Sequence, residues 1–213
     1  MSPAPLIGVV ALQGAVAEHL SVLTALGAGV RRVTRPEHLA GLTGLVLPGG
    51  ESTAMVRLAA GTGLFPALAD RVGAGLPVLG TCAGLILLAR EVEDGEALSG
   101  FARVPVLDIT ARRNAYGAQR ESFTARIAVA GVGPGVEPGV EPGGEGPELD
   151  AVFIRAPQVT RVGPGVQVLA AHRGAPVLVR QGPVLAATFH PELTTDPSMH
   201  RLFLAGAAAQ PTY

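Results

Sequence analysis

The chain of 213 residues contains no lysine and no tryptophan, and it contains a single cysteine. All 16 basic residues are therefore arginine, whose side chain neither acts as an amine nucleophile nor forms a Schiff base at ordinary pH. One cysteine cannot form a disulfide within the chain. These absences exclude imine chemistry on a lysine side chain and a fold held together by internal disulfides.

Charge is also scarce, because only 15% of the residues are charged and the formal net charge is -1. This balance gives no electrostatic reason to bind nucleic acid or an anionic membrane, so we expect neither as a partner. The N-terminus shows no basic segment followed by an apolar signal core, and no apolar run approaches the length of a membrane span. With 48% hydrophobic residues, we expect one soluble cytoplasmic domain over residues 1–213.

Short apolar runs alternate with amphipathic stretches through the first half of the chain. The predicted strands are Leu6–Leu12, Val30–Val33, Gly44–Leu47 and Leu76–Leu79. The predicted helices are Ala15–Leu26, a helix capped by Ser52 and running to Ala59, Phe65–Val72 and Leu85–Ala89. This alternation predicts an α/β fold with three layers, in which an open, mostly parallel sheet carries helices on both faces.

The second half is richer in strands, whose short spacing indicates antiparallel strands added to the parallel sheet. They are Val104–Ile109, Phe123–Val129, Val152–Ile154, Val166–Ala171, Val177–Arg180 and Val184–Phe189. Between them, Gly131–Glu148 repeats Gly-Val-Glu-Pro, and we interpret it as a flexible surface loop rather than a domain boundary. Asp196 and Pro197 are predicted to open a last helix that continues through Phe203.

Cys82 lies in Gly80-Thr81-Cys82-Ala83-Gly84, between a predicted strand and a predicted helix. A strand that turns through small residues into a helix holds the side chain between them at the carboxyl edge of a sheet. The N–H groups of the first helical turn favour the thiolate, which is the nucleophilic form. A free cysteine is also often a small buried hydrophobic residue, so this residue alone leaves both interpretations open.

His190-Pro191-Glu192 supplies the groups that a cysteine nucleophile requires. Pro191 disfavours helical backbone at His190, so we expect an extended segment in which Glu192 shares a face with His190 and orients its imidazole. The remaining histidines show no metal-ligand spacing, and no metal is expected. We interpret them as surface or packing residues: His19, His38, His172 and His200.

Taken together, the motifs resemble the class I, triad-type glutamine amidotransferases, and within them the glutaminase subunits of pyridoxal 5'-phosphate synthase. The resemblance covers the whole chain, and the Gly131–Glu148 stretch looks like an insertion. The segments that carry it are Gly8–Ala15, Pro48–Thr53, Gly80–Gly84, Arg113–Gly117 with Gln119, Phe153–Pro157 and Phe189–Leu193.

The resemblance implies a flavodoxin-like sheet and a glutaminase that needs no cofactor. Cys82 would attack the carboxamide of L-glutamine, His190 would transfer protons, and Glu192 would orient His190. The implied oxyanion hole is formed by backbone N–H groups of Gly49, Gly50 and Ala83. The implied substrate-binding residues are Gly50, Glu51, Ser52, Arg113, Ile154 and Arg155.

The resemblance also implies a partner, a synthase subunit with a TIM-barrel fold that receives ammonia and builds the coenzyme from a pentose and a triose phosphate. The absence of lysine agrees with these roles, in which this chain releases ammonia and the partner assembles the coenzyme, because ring assembly requires an amine. Three alternatives stay open. They are a glutaminase serving another biosynthetic pathway, a cysteine peptidase of similar fold, and a catalytically inactive interaction subunit.

Overall fold

The computed structural model describes residues 4–113, 122–130 and 148–208. Within these ranges the helices are α1 (Val16–Ala25), α2 (Ser52–Ala59), α3 (Leu64–Gly73), α4 (Ala83–Leu88) and α5 (Ser198–Ala208). The strands of the first half are β1 (Leu6–Val10), β2 (Gly29–Val33), β3 (Gly44–Leu47), β4 (Val78–Thr81), β5 (Ala89–Val92) and β6 (Leu107–Arg112). Those of the second half are β7 (Ser122–Ala128), β8 (Glu148–Ile154), β9 (Gln158–Val162), β10 (Gln167–His172), β11 (Ala175–Gln181) and β12 (Val184–Ala187).

The main sheet has seven strands in the order β10-β11-β12-β4-β3-β1-β2. The five strands from β12 to β2 pair in parallel, whereas β10, β11 and β12 pair antiparallel. Strands β3, β4 and β12 are buried at every position, as expected for short apolar runs covered on both faces. The register pairs Ala187 of β12 with Thr81 of β4, so these strands end side by side at one edge.

Helices cover both faces of this sheet and form two hydrophobic cores. One core contains Met55, Leu68 and Leu85 from α2, α3 and α4, and the other contains Leu23 and Phe203 from α1 and α5. Along each strand, successive side chains enter opposite cores because the side-chain period of a strand is two. The predicted three-layer α/β fold with a mostly parallel sheet and added antiparallel strands is confirmed.

Two smaller sheets extend the molecule beyond the main sheet. Strands β5, β6 and β9 form one of them, and the antiparallel pair β7-β8 forms the other. The β7-β8 pair reaches the edge where β12 ends, because Val152 of β8 makes an isolated antiparallel bridge with His190.

Several predicted boundaries were wrong. The helix after Cys82 ends at Leu88, and Ala89 opens β5, which was not predicted. Strand β9 was also missed, and the strand expected from Val104 begins at Leu107. Helix α2 begins at Ser52, but the capping residue is Glu51, whose carboxylate accepts from the N–H groups of Thr53 and Ala54.

The expected flexible loop lies outside the described residues at 131–147, and Glu148 is the first residue of β8. The single domain over residues 1–213 stays a prediction. None of the described helices is both long and apolar enough to cross a membrane.

Candidate active site

Cys82 occupies the turn between β4 and α4 in a backbone conformation that non-glycine residues rarely adopt, with φ 47° and ψ -102°. Its N–H donates to the carbonyl of Ala187 at 2.9 Å, and its carbonyl accepts from the N–H of Ile86 at 3.3 Å. These bonds hold the strained residue between the neighbouring strand and its own helix. A Cβ at Gly84 would meet the carbonyl oxygen of Leu47, so only glycine lets α4 lie this close to β3.

His190 and Glu192 form a buried pair at the same edge of the sheet. The N–H of His190 donates to the carbonyl of Val152 at 2.8 Å, which fixes the backbone three residues after β12 ends. Its Nδ1 lies 2.7 Å from Oε1 of Glu192, whose side chain is fully buried. The expected non-helical backbone is found at His190, with φ -110° and ψ 87°, but the extended segment expected beyond it is wrong, because Pro191–Leu193 form a turn of 3-10 helix. That turn brings the carboxylate back to the ring.

The Cys82 and His190 side chains lie close together at this edge of the sheet. Burial alone lowers the pKa of His190, but the hydrogen bonds and charges of Cys82 and Glu192 outweigh burial and raise it to about 10. Gly49 lies against both residues, since a Cβ there would meet the His190 ring and come within 3.3 Å of the Cys82 Cβ. A cysteine, an imidazole and a carboxylate are thus grouped in the order that catalysis by a cysteine nucleophile requires.

The Gly49-Gly50 segment is held by the loop before α1 and by β4. The Gly49 N–H donates to Thr81 Oγ1 at 2.9 Å, and its carbonyl accepts from the Ala15 N–H at 3.0 Å. Because the Gly49 N–H is already engaged, the backbone donors left to stabilise an oxyanion are those of Gly50 and Ala83. Neither donates to a protein acceptor within the described residues.

Two groups of side chains that were expected to bind substrate lie beside this centre. Arg113 donates from Nη2 to Thr53 Oγ1 at 3.0 Å and lies 3.6 Å from Glu51 Oε1. Burial raises the pKa of Glu51, but the backbone N–H groups of Ala54 and Thr53, with Arg113, lower it overall. Glu51 and the buried Ser52 directly follow Gly50 in the chain, and the side chain of Arg113 reaches the same place through Glu51 and Thr53.

Ile154 and Arg155 approach from the other side, where β8 ends two residues beyond the bridge between Val152 and His190. Arg155 has φ 42° and is exposed, and within the described ranges its side chain has no ion pair or hydrogen bond. The remainder of the Arg113 motif, Asn114–Gly117 with Gln119, lies outside the described residues.

Three buried polar residues behind the pair of His190 and Glu192 were not predicted from the sequence to belong to the site. They are Thr81, His19 and His200. His19 and His200 were interpreted as surface or packing residues, yet their rings are hydrogen-bonded to each other within the core. The described part of the chain holds no group of three or more potential metal ligands.

Comparisons with known proteins give the family of the chain. Residues 9–208 match the family described as "SNO glutamine amidotransferase family". "Pyridoxal 5'-phosphate synthase subunit PdxT" of Cutibacterium acnes is 50% identical over 208 residues, covering 94% of this chain and 96% of the relative. The protein of the same name in Deinococcus radiodurans is 50% identical over 208 residues, covering 97% and 99%.

The chain is also similar to solved structures. One described as "Crystal structure of glutamine amidotransferase" is 44% identical, covers 95% of this chain and 99% of that chain, and superposes with a TM-score of 0.83. "Structure of PurLQS from Thermotoga maritima" is 15% identical with a TM-score of 0.68, covering 95% and 99%, and shows likeness of the fold alone.

Proposed function

The chain belongs to the SNO glutamine amidotransferase family, and from this membership we propose that it is the glutaminase subunit of a pyridoxal 5'-phosphate synthase. In this function it hydrolyses L-glutamine to L-glutamate and ammonia. The observation that carries the proposal is that Cys82, on its strained turn, and His190, which is paired with the buried Glu192, both lie against Gly49. Proteins named for this subunit are 50% identical to the chain over nearly its whole length.

The chemistry follows from the three side chains. Cys82 gives its proton to His190, and the thiolate attacks the carboxamide carbon of glutamine. His190 returns a proton to the nitrogen, the C–N bond breaks, and ammonia leaves behind a glutamyl thioester. Water, deprotonated by His190, then cleaves the thioester to glutamate and restores the thiol. Glu192 orients the ring and stabilises its protonated form throughout.

Negative charge develops on the carboxamide oxygen in both attacks and requires fixed donors. We assign these donors to the backbone N–H groups of Gly50 and Ala83, since that of Gly49 donates to Thr81. Gly49 then contributes by its missing side chain, because any Cβ there would collide with the His190 ring.

Free glutamine carries an α-carboxylate and an α-amine, so a selective pocket needs groups of both charges. Arg113 is assigned to the carboxylate, because a guanidinium donates paired hydrogen bonds to it. Glu51 and Ser52 lie next to Arg113 and complete that side, with the backbone of Gly50. Ile154 and Arg155 form the opposite side, where the exposed Arg155 can meet substrate.

The ammonia is assigned to a synthase subunit with a TIM-barrel fold that combines it with a pentose phosphate and a triose phosphate. The absence of lysine supports this assignment, because imine chemistry on sugars requires an amine that no side chain here provides. The cytoplasmic location expected from the sequence stays a prediction.

The test is glutamate release from L-glutamine by the full chain, alone and with its synthase subunit. We expect release that depends on Cys82 and rises when the partner is added. A Cys82→Ala variant that still releases glutamate would contradict the assignment. Stimulation by a synthase of another pathway, with none by the pyridoxal phosphate synthase subunit, would favour a glutaminase of that other pathway. Cleavage of peptides without glutaminase activity would indicate a peptidase.

A further inference from the structure

Two buried histidines outside the proposed triad join helices α1 and α5 beneath the site. His19 and His200 are both fully inaccessible, and His19 Nδ1 lies 2.9 Å from His200 Nε2. Their ring centroids are 5.1 Å apart at an interplanar angle of 57°, so the rings meet edge to edge through these nitrogens. The mechanism above uses neither residue.

The second nitrogen of His19 faces the triad. Its Nε2 lies 3.4 Å from Glu192 Oε2 and 3.3 Å from Thr81 Oγ1. Glu192 Oε1 already accepts from His190, whereas Oε2 is buried and accepts no hydrogen bond within the described residues, and His19 Nε2 is the nearest donor nitrogen that the structure shows. An unpaired carboxylate oxygen in the core is costly, so the N–H nearest to Oε2 decides how Glu192 is held.

Both histidines are neutral at pH 7. Burial, followed by the charges of His200 and His190, lowers the pKa of His19 well below its usual value, and burial lowers the pKa of His200 to about 4. Each neutral ring has one N–H, and the hydrogen bond between the two facing nitrogens contains one hydrogen, which belongs to one ring or the other. Two arrangements of the pair are therefore possible.

In the first arrangement, His200 Nε2–H donates to His19 Nδ1, and His19 Nε2–H points at Glu192. In the second, His19 donates to His200, which turns a lone pair of His19 towards the carboxylate. The second arrangement also places a hydrogen on His200 Nδ1, a buried atom without an acceptor in the described part of the chain. An unpaired buried N–H and a lone pair against an anion both disfavour the second arrangement.

We propose that His19 is a positioning residue that holds Glu192 Oε2 through its Nε2–H, and that His200 fixes His19 in the required tautomer. Glu192 is then clamped between two imidazoles, with His190 on one oxygen and His19 on the other. This clamp keeps Oε1 aligned on His190 Nδ1 while the His190 ring gains and loses its proton. The proposal rests on the proposed function for its catalytic consequence, but the tautomers themselves do not.

The tautomers can be measured directly in the full chain without activity. Nitrogen-15 NMR of labelled histidine distinguishes an Nε2–H ring from an Nδ1–H ring, and the signals missing from His19→Gln and His200→Gln identify the two residues. We expect both rings to carry hydrogen on Nε2 at pH 7.5. Hydrogen on Nδ1 of His19 would overturn the proposal, whatever the chain catalyses.

Kinetics with the synthase subunit test the consequence. His19→Leu removes the donor, and we expect kcat for glutamate release to fall about 10- to 100-fold, as for partners that orient metal-ligating histidines from behind. The KM for glutamine should change less than about three-fold, since His19 touches no substrate. His19→Gln places an amide N–H near the same point and should recover most of kcat.

The matched control is Leu23→Ala, one turn further along α1 and also fully buried. It loses core packing of about 2–5 kcal/mol but removes neither imidazole, and its kcat should stay near the wild-type value. Equal loss of kcat in Leu23→Ala and His19→Leu, or unchanged kcat in a folded His19→Leu, would overturn the proposal. If the wild-type chain releases no glutamate, the proposed function fails and the NMR result alone decides on the tautomers.

Discussion

Replacing Thr81 by valine removes one hydroxyl from beneath the proposed oxyanion site and leaves the shape of the side chain nearly unchanged. Thr81 is fully buried, and its Oγ1 accepts from the N–H of Gly49, also buried, at 2.9 Å. In Thr81→Val this N–H loses its acceptor, which costs about 1–3 kcal/mol for a buried donor. We expect the free energy of unfolding to fall by that amount.

Thr81→Ser is the matched control, because it keeps the hydroxyl and removes one methyl group, at about 0.8 kcal/mol. If the hydrogen bond stabilises the turn, the serine variant is more stable than the valine variant. If the hydroxyl contributes nothing, the order reverses, since valine fills the methyl space that serine leaves empty. Urea unfolding of the full chain, followed by circular dichroism, gives this order.

Activity provides a second readout for the same pair of variants. Loss of one oxyanion donor typically lowers kcat by about 10²–10³. If the Gly49-Gly50 peptide moves, the N–H of Gly50 stabilises the oxyanion less well, and part of that factor is lost. We expect Thr81→Val to lose at least about ten-fold in kcat for glutamate release, and Thr81→Ser to keep most of it. A valine variant that is more stable than the serine variant, with unchanged kcat, would refute the reasoning.

Further predictions concern the triad, the pocket and the missing lysines. Cys82→Ala should abolish glutamate release while the chain stays folded, His190→Ala should be comparably damaging, and Glu192→Gln less so. Because the pKa of His190 is raised to about 10, NMR should find both of its ring nitrogens protonated at pH 8. Protonation of His190 then adds to the free energy of unfolding, fully below about pH 6.5, and this contribution should disappear as the pH rises through 10. Cys82→Ala should lower that pKa, and an unchanged titration would contradict the contact. Arg113→Ala should raise the KM for glutamine roughly 10- to 100-fold with a smaller effect on kcat, and an unchanged KM would remove Arg113 from the pocket. Borohydride reduction of the working complex should leave this chain's mass unchanged apart from slow labelling of the α-amino group, and a stoichiometric adduct would show imine chemistry here.

The sheet was predictable because its strands are short apolar runs, and such runs mark parallel strands covered on both faces. Strands β5 and β9 were not predictable in the same way. Ala89–Val92 and Gln158–Val162 mix exposed and buried positions, and each becomes a strand only by pairing with β6. Glu51, and not Ser52, caps α2, because its two carboxylate oxygens accept from the N–H groups of Thr53 and Ala54. The local sequence pattern did not indicate this cap.

The proposed triad was predictable because its motifs follow strands that end at one edge. The residues behind it were not. His19 approaches Thr81 across 62 positions of sequence and His200 across 181, so neither contact leaves a local signature. The fold alone brings α1 and α5 together on one face of the sheet. A buried histidine in an apolar helix face was the only available signal, and packing explained it equally well.

The most direct test of the central claim is the transfer of nitrogen from glutamine to the coenzyme. The full chain and its synthase subunit are supplied with the sugar phosphates and glutamine labelled with nitrogen-15 in the amide, and the mass of the pyridoxal 5'-phosphate is measured. We predict one labelled nitrogen with the wild-type chain, none with Cys82→Ala, and restored labelling in that variant when labelled ammonium is added. Label persisting in Cys82→Ala with glutamine, or absent with the wild-type chain while ammonium still supports synthesis, would contradict the claim that Cys82 releases the ammonia used by the synthase.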